Sequence, residues 1–156
     1  MTERKGTNGV TLDDVSRSII AELQVNGRRS YAAIGKTVGL SEAAVRQRVQ
    51  KLTDAGVIQI VAVTDPLELG FARQAMIGIS VNGDIVAVAE KLAGIPEIDY
   101  LVITTGRFDM LAEIVCESDD DLLELITSKI RSIPEVTTTE TFVYLRLRKQ
   151  TYAWGV

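Results

Sequence analysis

The 156-residue sequence contains no histidine and a single cysteine, Cys116. Without histidine there is no imidazole general base, no His-containing triad and no His-ligated metal centre. One cysteine excludes an internal disulfide and a Cys-rich zinc site, and it suits a reducing compartment. Cys116 falls in a predicted strand, with no imidazole to activate it. No nucleophile sits beside a base, no metal cluster is present and no Gly-rich phosphate loop occurs. No apolar run reaches the roughly 18 residues of a membrane span. The longest, residues 100–103 and 110–116, are strand-sized. Residues 1–10 are polar and contain no apolar core segment, so they read as a short disordered leader and not as a signal peptide. These absences point to a soluble, cytoplasmic protein that is not an enzyme and carries no metal or cofactor.

The net charge is −4, which taken alone weighs against nucleic acid as a partner. The average hides a division at Pro66. Residues 1–66 hold nine Lys/Arg and seven Asp/Glu, and residues 67–156 hold eight and fourteen. The window 28–51 has six basic residues against Glu42 alone. A basic module is therefore joined to an acidic one, unless the basic window is only a solvated helical surface.

The first module, residues 11–56, reads as three short helices. Leu12, Val15, Ile19, Ile20 and Leu23 recur at three- and four-residue spacing, with Asp13 and Asp14 at the favourable N-terminal end. That helix stops near Asn26 and Gly27. Ser30 caps a second helix through Val38, Gly39 and Leu40 make the turn, and Ser41 caps a third that runs to about Ala55. Val45, Val49 and Leu52 fall within about 40° of one another on a helical projection. Ala43, Gln47 and Gln50 point the other way, Arg46 and Arg48 lie on opposite flanks, and Lys51 borders the exposed face.

Two short helices joined by a Gly turn form a helix-turn-helix pattern. In a major groove, Gln47 and the small Ala43 face base edges, while Arg46, Arg48 and Lys51 reach phosphates, with Arg28 and Arg29 further out. Arg48 has a competing reading as an intramolecular ion pair with Asp14 or Glu22. Gln47 has one as a plain solvated side chain.

The run Leu12-Asp13-Asp14, Ile19-Ile20, Leu23-Gln24, Gly27-Arg28, then Ile34-Gly35, Val38-Gly39-Leu40-Ser41, Val45-Arg46-Gln47-Arg48-Val49, Leu52 and Gly56-Val57-Ile58 resembles the DNA-binding half of the Lrp/AsnC (leucine-responsive, feast/famine) transcriptional regulators. Ile34-Gly35 stands where Leu-Ala is more usual, an exchange that reads as conservative. The resemblance implies double-stranded promoter or operator DNA as a partner and adds Ser41 and Gln50 to the DNA-binding set.

Residues 57–64 are strongly β-branched and read as a strand, within a linker and connector spanning 57–71. In proteins similar to this one such a strand pairs with its twin from a second subunit. The other reading is a wing strand pairing within its own domain.

The second module, residues 72–149, carries a repeat. Ile95-Pro96-Glu97-Ile98 recurs as Ile133-Pro134-Glu135-Val136, thirty-eight positions later. Each copy follows a helical stretch and precedes a strand. Strands are expected at 74–81 and 110–116, helices at 84–93 and 118–132, and a last strand at 137–147. Leu122, Leu123, Ile126 and Ile130 are the expected inward residues of the second helix. The order is that of a ferredoxin-like βαββαβ domain, so the whole chain is α+β, a helix-turn-helix head joined by a linker strand to a sensing and oligomerising domain. One sheet face is left open, which points to a homodimer. The Phe142/Tyr144/Arg146 side of the last strand is a candidate for the buried dimer face. Asp119, Asp120 and Asp121 follow a capping Ser118 and complement the helix dipole, a better reading than a metal site.

Gly106, Arg107, Phe108 and Asp109 lie in the hairpin between the middle strands. As a turn, Gly relaxes the backbone and Phe packs on the sheet. As a site, backbone amides near Gly106 receive a carboxylate, Asp109 accepts an ammonium group and Phe108 is a wall, which is what a free amino acid requires. The Gly-x-Phe-Asp stretch, with Thr139-Glu140-Thr141 on the last strand, is similar to the effector site of Lrp/AsnC regulators. The resemblance places Thr104, Thr105 and Thr139 at a rim where dimers meet, and implies assembly to a tetramer or octamer. Residues 150–156 are a tail whose Tyr152 and Trp154 are free to pack on a neighbouring subunit.

The resulting reading is a sequence-specific DNA-binding regulator whose assembly and DNA affinity respond to a small amino acid or related metabolite. The alternative is a metabolite-binding ferredoxin-like assembly protein without a DNA role, which would have no use for the basic window at 28–51.

Overall fold

The computed structural model describes residues 12–152. The leader 1–10 and Trp154 lie outside the described residues. The chain forms two compact units, one of residues up to Val63 together with those from Lys149, the other spanning Thr64–Arg148.

The first unit is built on α1 (Asp14–Val25), α2 (Tyr31–Val38) and α3 (Glu42–Asp54). Each helix starts on a side-chain cap that accepts a backbone N–H three residues on: Asp13 from Ser16, Ser30 from Ala33 and Ser41 from Ala44. Gly39 closes α2 in the left-handed conformation, φ 73°. Ile19, Leu23, Ile34, Val45 and Val49 form the core, joined by Val15, Tyr31, Val38, Leu40 and Ile58.

The exchange at Gly35 is not conservative in space. A Cβ there would lie 2.4 Å from the carbonyl oxygen of Leu40, while Leu40 N–H donates to the Gly35 carbonyl at 2.9 Å. The helix-turn-helix turn folds back so closely that no side chain fits.

Residues 57–64 do not form a strand. Val57 and Ile58 donate their N–H groups to the Leu52 carbonyl, Ile58 packs on the helical core, and the chain to residue 65 is then exposed and without regular structure. Neither a wing nor any other ladder partner for it exists among the described residues. A strand is completed by its neighbour's hydrogen bonds, and β-branched composition alone does not supply them.

The second unit opens with a 3-10 turn at Leu67–Leu69 and continues as β1 (Arg73–Val81), α4 (Ile85–Ala93), β2 (Ile98–Ile103), β3 (Met110–Cys116), α5 (Asp119–Glu124) and β4 (Val136–Val143). The sheet is antiparallel in the order β2-β3-β1-β4. Ala75, Ile77, Ile79, Met110, Ala112 and Ile114 alternate onto one face and are fully buried with Val88, Leu92, Leu125 and Ile130 of the helical segments.

The repeat builds the same turn twice, with Ile98 N–H donating to the Ile95 carbonyl and Val136 N–H to that of Ile133. It also cross-links the copies. Lys91 pairs with Glu135, and Lys129, its counterpart thirty-eight positions on, pairs with Glu97.

The second helix departs from expectation. After α5 it widens into a π-helical turn at Leu125–Ile130, with Arg131 N–H donating to Ile126 five residues back. The change of period turns Leu123 outward, 60% exposed, and Leu125 inward. β4 stops at Val143, after which Tyr144 N–H donates to the Gln74 carbonyl. Residues 145–147 leave the sheet, so Leu145 and Leu147 are exposed instead of alternating on a ladder. Ser118 caps α5 by accepting from Asp121 N–H at 3.1 Å, and Asp119 pairs with Arg73. No helix is long and apolar enough to cross a membrane.

Gly35→Ala is expected to lower stability by about 1–3 kcal/mol through overpacking at the turn, read as a fall in melting temperature. An unchanged melting temperature would contradict the close approach.

Candidate functional site

The helical unit presents the third helix as the expected two-sided element. Val45, Val49 and Leu52 are buried, and Ala43, Gln47, Gln50 and Lys51 are exposed. Ser41 is occupied as the cap. The basic residues divide into two classes. Arg29 pairs with Glu22, and its Nη2 also donates to Thr37 at 3.5 Å. Arg46 pairs with Glu42 at 2.8 Å and lies over the Tyr31 ring, 5.3 Å from its centroid. Gln50 donates to Asp54 at 2.7 Å. Arg17, Arg28, Lys36 and Lys51 make no ion pair among the described residues. Gln47 is likewise free of a side-chain partner there.

Arg48 does not stand free for phosphate. Its Nη1 donates to both Asp13 carboxylate oxygens, at 2.8 and 3.0 Å, and to the buried Ser16 hydroxyl at 3.1 Å. Arg48 is ion-paired within the chain, but to Asp13 and to neither Asp14 nor Glu22. Hydrogen bonds from the Ser16 hydroxyl and backbone, and then from Arg48, hold the Asp13 carboxyl down at about 2. One carboxylate thus caps α1 and clasps α3 to it. The exposed Asp13 side of a helix gives no sign of this in sequence, because 35 positions separate the partners.

In the second unit, period-two alternation decides what the hairpin meets. Gly78 pairs with Glu140 on β4 and Leu111 on β3, so all three face away from the helices. Thr139 and Thr141 pair with the buried Ile79 and Ile77 and belong to the helix-covered side. The expected convergence of Thr139, Glu140 and Thr141 therefore does not occur; only Glu140 faces the hairpin's aromatic ring side.

Phe108 covers Gly78. A Cβ at position 78 would lie 2.5 Å from that ring. The Phe108 ring meets Phe142 edge-on at 6.2 Å, and the Arg107 guanidinium lies over the Phe108 ring, 5.3 Å from its centroid. Arg107 pairs with Glu140 at 3.1 Å, with side chains 79% and 42% exposed.

Two expected roles change. The Asp109 carboxylate accepts the Val81 N–H at 2.8 Å, where a bulge interrupts the β1 ladder. It is engaged in closing the sheet. Gly106 N–H donates to Thr104 Oγ1 at 3.3 Å, and that hydroxyl itself donates to the Phe108 carbonyl. Thr104 is therefore part of the hairpin's own bonding, and Thr105 is exposed beside it. Gly78 was not anticipated, although a lone glycine within a strand pattern marks close approach, and Phe142 was expected on a dimer face and not beside Phe108.

Burial raises the Cys116 thiol above its ordinary value and keeps it protonated, so it is no nucleophile at neutral pH. Among the described residues no group of three or more acidic or sulfur side chains could hold a metal.

A helix-turn-helix head, with cations that make no ion pair among the described residues, followed by a ferredoxin-like α+β domain, defines the class of DNA-binding regulators with a separate C-terminal domain. Similarity to known proteins narrows that class. Residues 12–53 match the AsnC-type helix-turn-helix domain, and residues 71–156 match the C-terminal dimeric alpha+beta barrel domain of AsnC-type regulators. A helix-turn-helix transcriptional regulator of Pyrococcus furiosus is 35% identical over 144 residues, covering 91% of this chain and 97% of that one. The regulatory protein AsnC of Escherichia coli is 30% identical over 138 residues, covering 86% and 91%. The solved AsnC structure of E. coli superposes with a TM-score of 0.82 at 28% identity, covering 92% of this chain and 99% of that one. A regulator from Neisseria meningitidis, solved in complex with L-Met, gives a TM-score of 0.78 at 25% identity over 90% and 94%. The chain belongs to the Lrp/AsnC family of transcriptional regulators. Its curated relatives are regulators, not enzymes.

Arg48→Ala is expected to weaken binding to a random-sequence duplex and lower the melting temperature without changing the salt slope of binding. Lys51→Ala should reduce that slope by about 0.9, the value for one phosphate no longer neutralised. A reduced slope in Arg48→Ala would place that guanidinium on phosphate instead. The clasp also carries a pH signature. Because the folded Asp13 carboxyl sits below its ordinary 3.8, its contribution is present above that value and lost as pH falls towards 2. Melting temperatures of the wild type and Asp13→Asn should differ at pH 7 and converge near pH 2.

Proposed function

We propose that this regulator reads DNA through α3 and senses a small amino acid or related metabolite at the hairpin of residues 104–109. The observation that carries the sensing half is the Arg107–Glu140 ion pair, seated over Phe108 and largely in solvent. An exposed pair of this kind stabilises the fold by only about 0–1 kcal/mol. A zwitterion inserted between the two charges replaces one ion pair by two, its carboxylate on Arg107 and its ammonium on Glu140. Phe108 and Phe142 offer aromatic surface to the side chain. The L-Met complex of the Neisseria relative supports an amino acid as the class of effector.

On the DNA side, Gln47 and Ala43 face base edges, while Arg28 and Lys51 meet phosphates without first breaking an internal pair. Arg46 reaches phosphate by exchanging Glu42, a surface partner one turn away. The head of a dimer presents two such helices to a pseudo-palindromic site. The exposed chain at 59–64, without a ladder among the described residues, supports pairing of the expected 57–64 strand with its twin in a second subunit. The open sheet face with Phe142 supports the C-terminal domain as the dimer's main contact and the assembly of dimers to a tetramer or octamer. The protein acts in the cytoplasm. Effector binding shifts the assembly only by favouring one arrangement over another.

The test is a thermal-shift screen of the twenty amino acids, followed by variants. A true effector at one hundred times its Kd stabilises by about 2.7 kcal/mol, several degrees for a chain of this size. Arg107→Gln and Glu140→Gln are each expected to weaken it at least tenfold and to leave the unliganded melting temperature within about 2 °C. An effector whose affinity is the same in both variants binds elsewhere.

A further inference from the structure

The chain has three asparagines, Asn8, Asn26 and Asn82, and each is followed by glycine. Asn8 lies outside the described residues. In an Asn-Gly pair the next backbone nitrogen can reach the side-chain amide carbon, because glycine has no Cβ to obstruct the approach. The two described pairs sit in different surroundings. Asn26 closes α1, and Asn26, Gly27 and Arg28 are exposed. Arg29 N–H donates to the Asn26 carbonyl at 2.9 Å, which makes residues 26–29 a turn. Within that turn Arg28 N–H donates to Asn26 Oδ1, also at 2.9 Å. The Arg28 guanidinium makes no ion pair among the described residues. Around Asn82 the polarity is reversed. Its side chain accepts no hydrogen bond among the described residues, its own N–H is held by the Glu135 carbonyl at 2.8 Å, and the nearest charge along the chain is the Asp84 carboxylate.

We infer that Asn26 is a modification site, where spontaneous deamidation places a new carboxylate beside Arg28 and weakens the head's hold on DNA. The reaction needs only water. Gly27 N loses its proton to solvent and its lone pair attacks Asn26 Cγ. The bond from Cγ to the amide nitrogen breaks, that nitrogen leaves as ammonia with a proton from water, and a five-membered succinimide remains. Water then adds to one of the two ring carbonyls and breaks its bond to the ring nitrogen. Opening on the Cγ side gives aspartate. Opening on the main-chain side gives isoaspartate, in which the chain runs through the former side chain and is one methylene longer. The turn favours ring closure twice. The Arg28 N–H is aimed at the oxygen on which negative charge develops, and the neighbouring Arg28 cation favours loss of the Gly27 proton. Either product is an anion where the amide was neutral. In isoaspartate the carbonyl that accepts the Arg29 N–H becomes the carboxylate, so the turn carrying Arg28 is rebuilt around a charge. The Arg28 guanidinium then has an acid partner two residues away and is withdrawn from phosphate. The effect on DNA rests on the DNA-reading function proposed above; the chemistry at Asn26 does not.

The experiment ages the full chain under warm, mildly alkaline conditions and samples it over time by tryptic peptide mass. Cleavage after Arg17 and Arg28 isolates Asn26 in peptide 18–28, and cleavage after Arg73 and Lys91 isolates Asn82 in peptide 74–91. Gly27→Ala is the control, since a Cβ there meets nothing closer than 3.6 Å and obstructs the attack without crowding the turn. Peptide 18–28 is expected to gain the amide-to-acid mass increment, as two chromatographic products, several-fold faster than peptide 74–91 and several-fold faster than its own counterpart in Gly27→Ala. Binding to a random-sequence duplex is measured by fluorescence anisotropy across a range of salt, before and after ageing. The slope of log affinity against log salt is expected to fall by about 0.9 for each modified chain, the value of one phosphate contact, and to stay at its initial value in Gly27→Ala. Conversion of Asn82 ahead of Asn26, or equal rates at Asn26 in the wild type and Gly27→Ala, overturns the site. Conversion at Asn26 with an unchanged slope overturns its effect on DNA, as does an equal loss of slope in aged Gly27→Ala. Failure of the fresh wild type to bind the duplex at low salt overturns the reading head and the effect on DNA with it, while the peptide masses test Asn26 by themselves.

Discussion

In an antiparallel sheet, successive residues of a strand face opposite sides, and here a single step along β1 or β4 separates the core from the candidate site. Ile77 and Ile79 are sealed under the helices, while Gly78 between them faces the uncovered side beneath Phe108. Thr139 and Thr141 follow the isoleucines, and Glu140 follows the glycine. A one-residue slip in register would bury Glu140 and expose Thr139 and Thr141 in its place. The Asp109 bond to Val81 secures that register at the end where the ladder bulges. Asp109 thus closes the sheet at the hairpin that carries Phe108 over Gly78 and Arg107 beside Glu140.

A comparable economy governs the helical unit. Asp13 caps α1 and anchors Arg48 of α3, so the reading helix is positioned by an acid near the start of the first helix. Three of the six cations in the basic window, Arg29, Arg46 and Arg48, have acidic partners. The window's charge is thus a poor measure of what DNA meets. Arg28, Lys36 and Lys51 make no ion pair among the described residues, and beyond the window Arg17 joins them. Polarity on a helix surface is shared between holding the helices together and reaching outward, and the distribution of acids decides the division.

Local features of this architecture were legible in sequence. The helix caps, the Gly39 turn, the buried stripe of Val45, Val49 and Leu52, the repeat at Ile95 and Ile133, and the alternation of β1 all follow from spacing and residue type. The family was legible because motifs of both halves occur in order. What could not be read depends on residues far apart in the chain. Arg48 finds Asp13 across 35 positions; Gly78 finds Phe108 across a strand pairing; Leu123 and Leu125 exchange faces because a π-helical turn changes the period. Residues 57–64 have a strand's composition but no partner among the described residues, so composition predicted the propensity and not the ladder. Asp109 and Thr104 were chemically plausible site groups that the sheet and hairpin had already engaged.

One chain is proposed to couple an amino-acid site to DNA reading. Coupling of this kind is reciprocal: an amino acid that changes DNA affinity by some factor has its own affinity changed by DNA by the same factor. The direct measurement titrates the amino acid that most raises the melting temperature into the protein, with and without saturating duplex, and titrates duplex with and without that amino acid. Equal, non-unit factors are expected from the two titrations, both abolished in Glu140→Gln. Binding of amino acid and DNA that leaves both affinities unchanged would contradict the coupling.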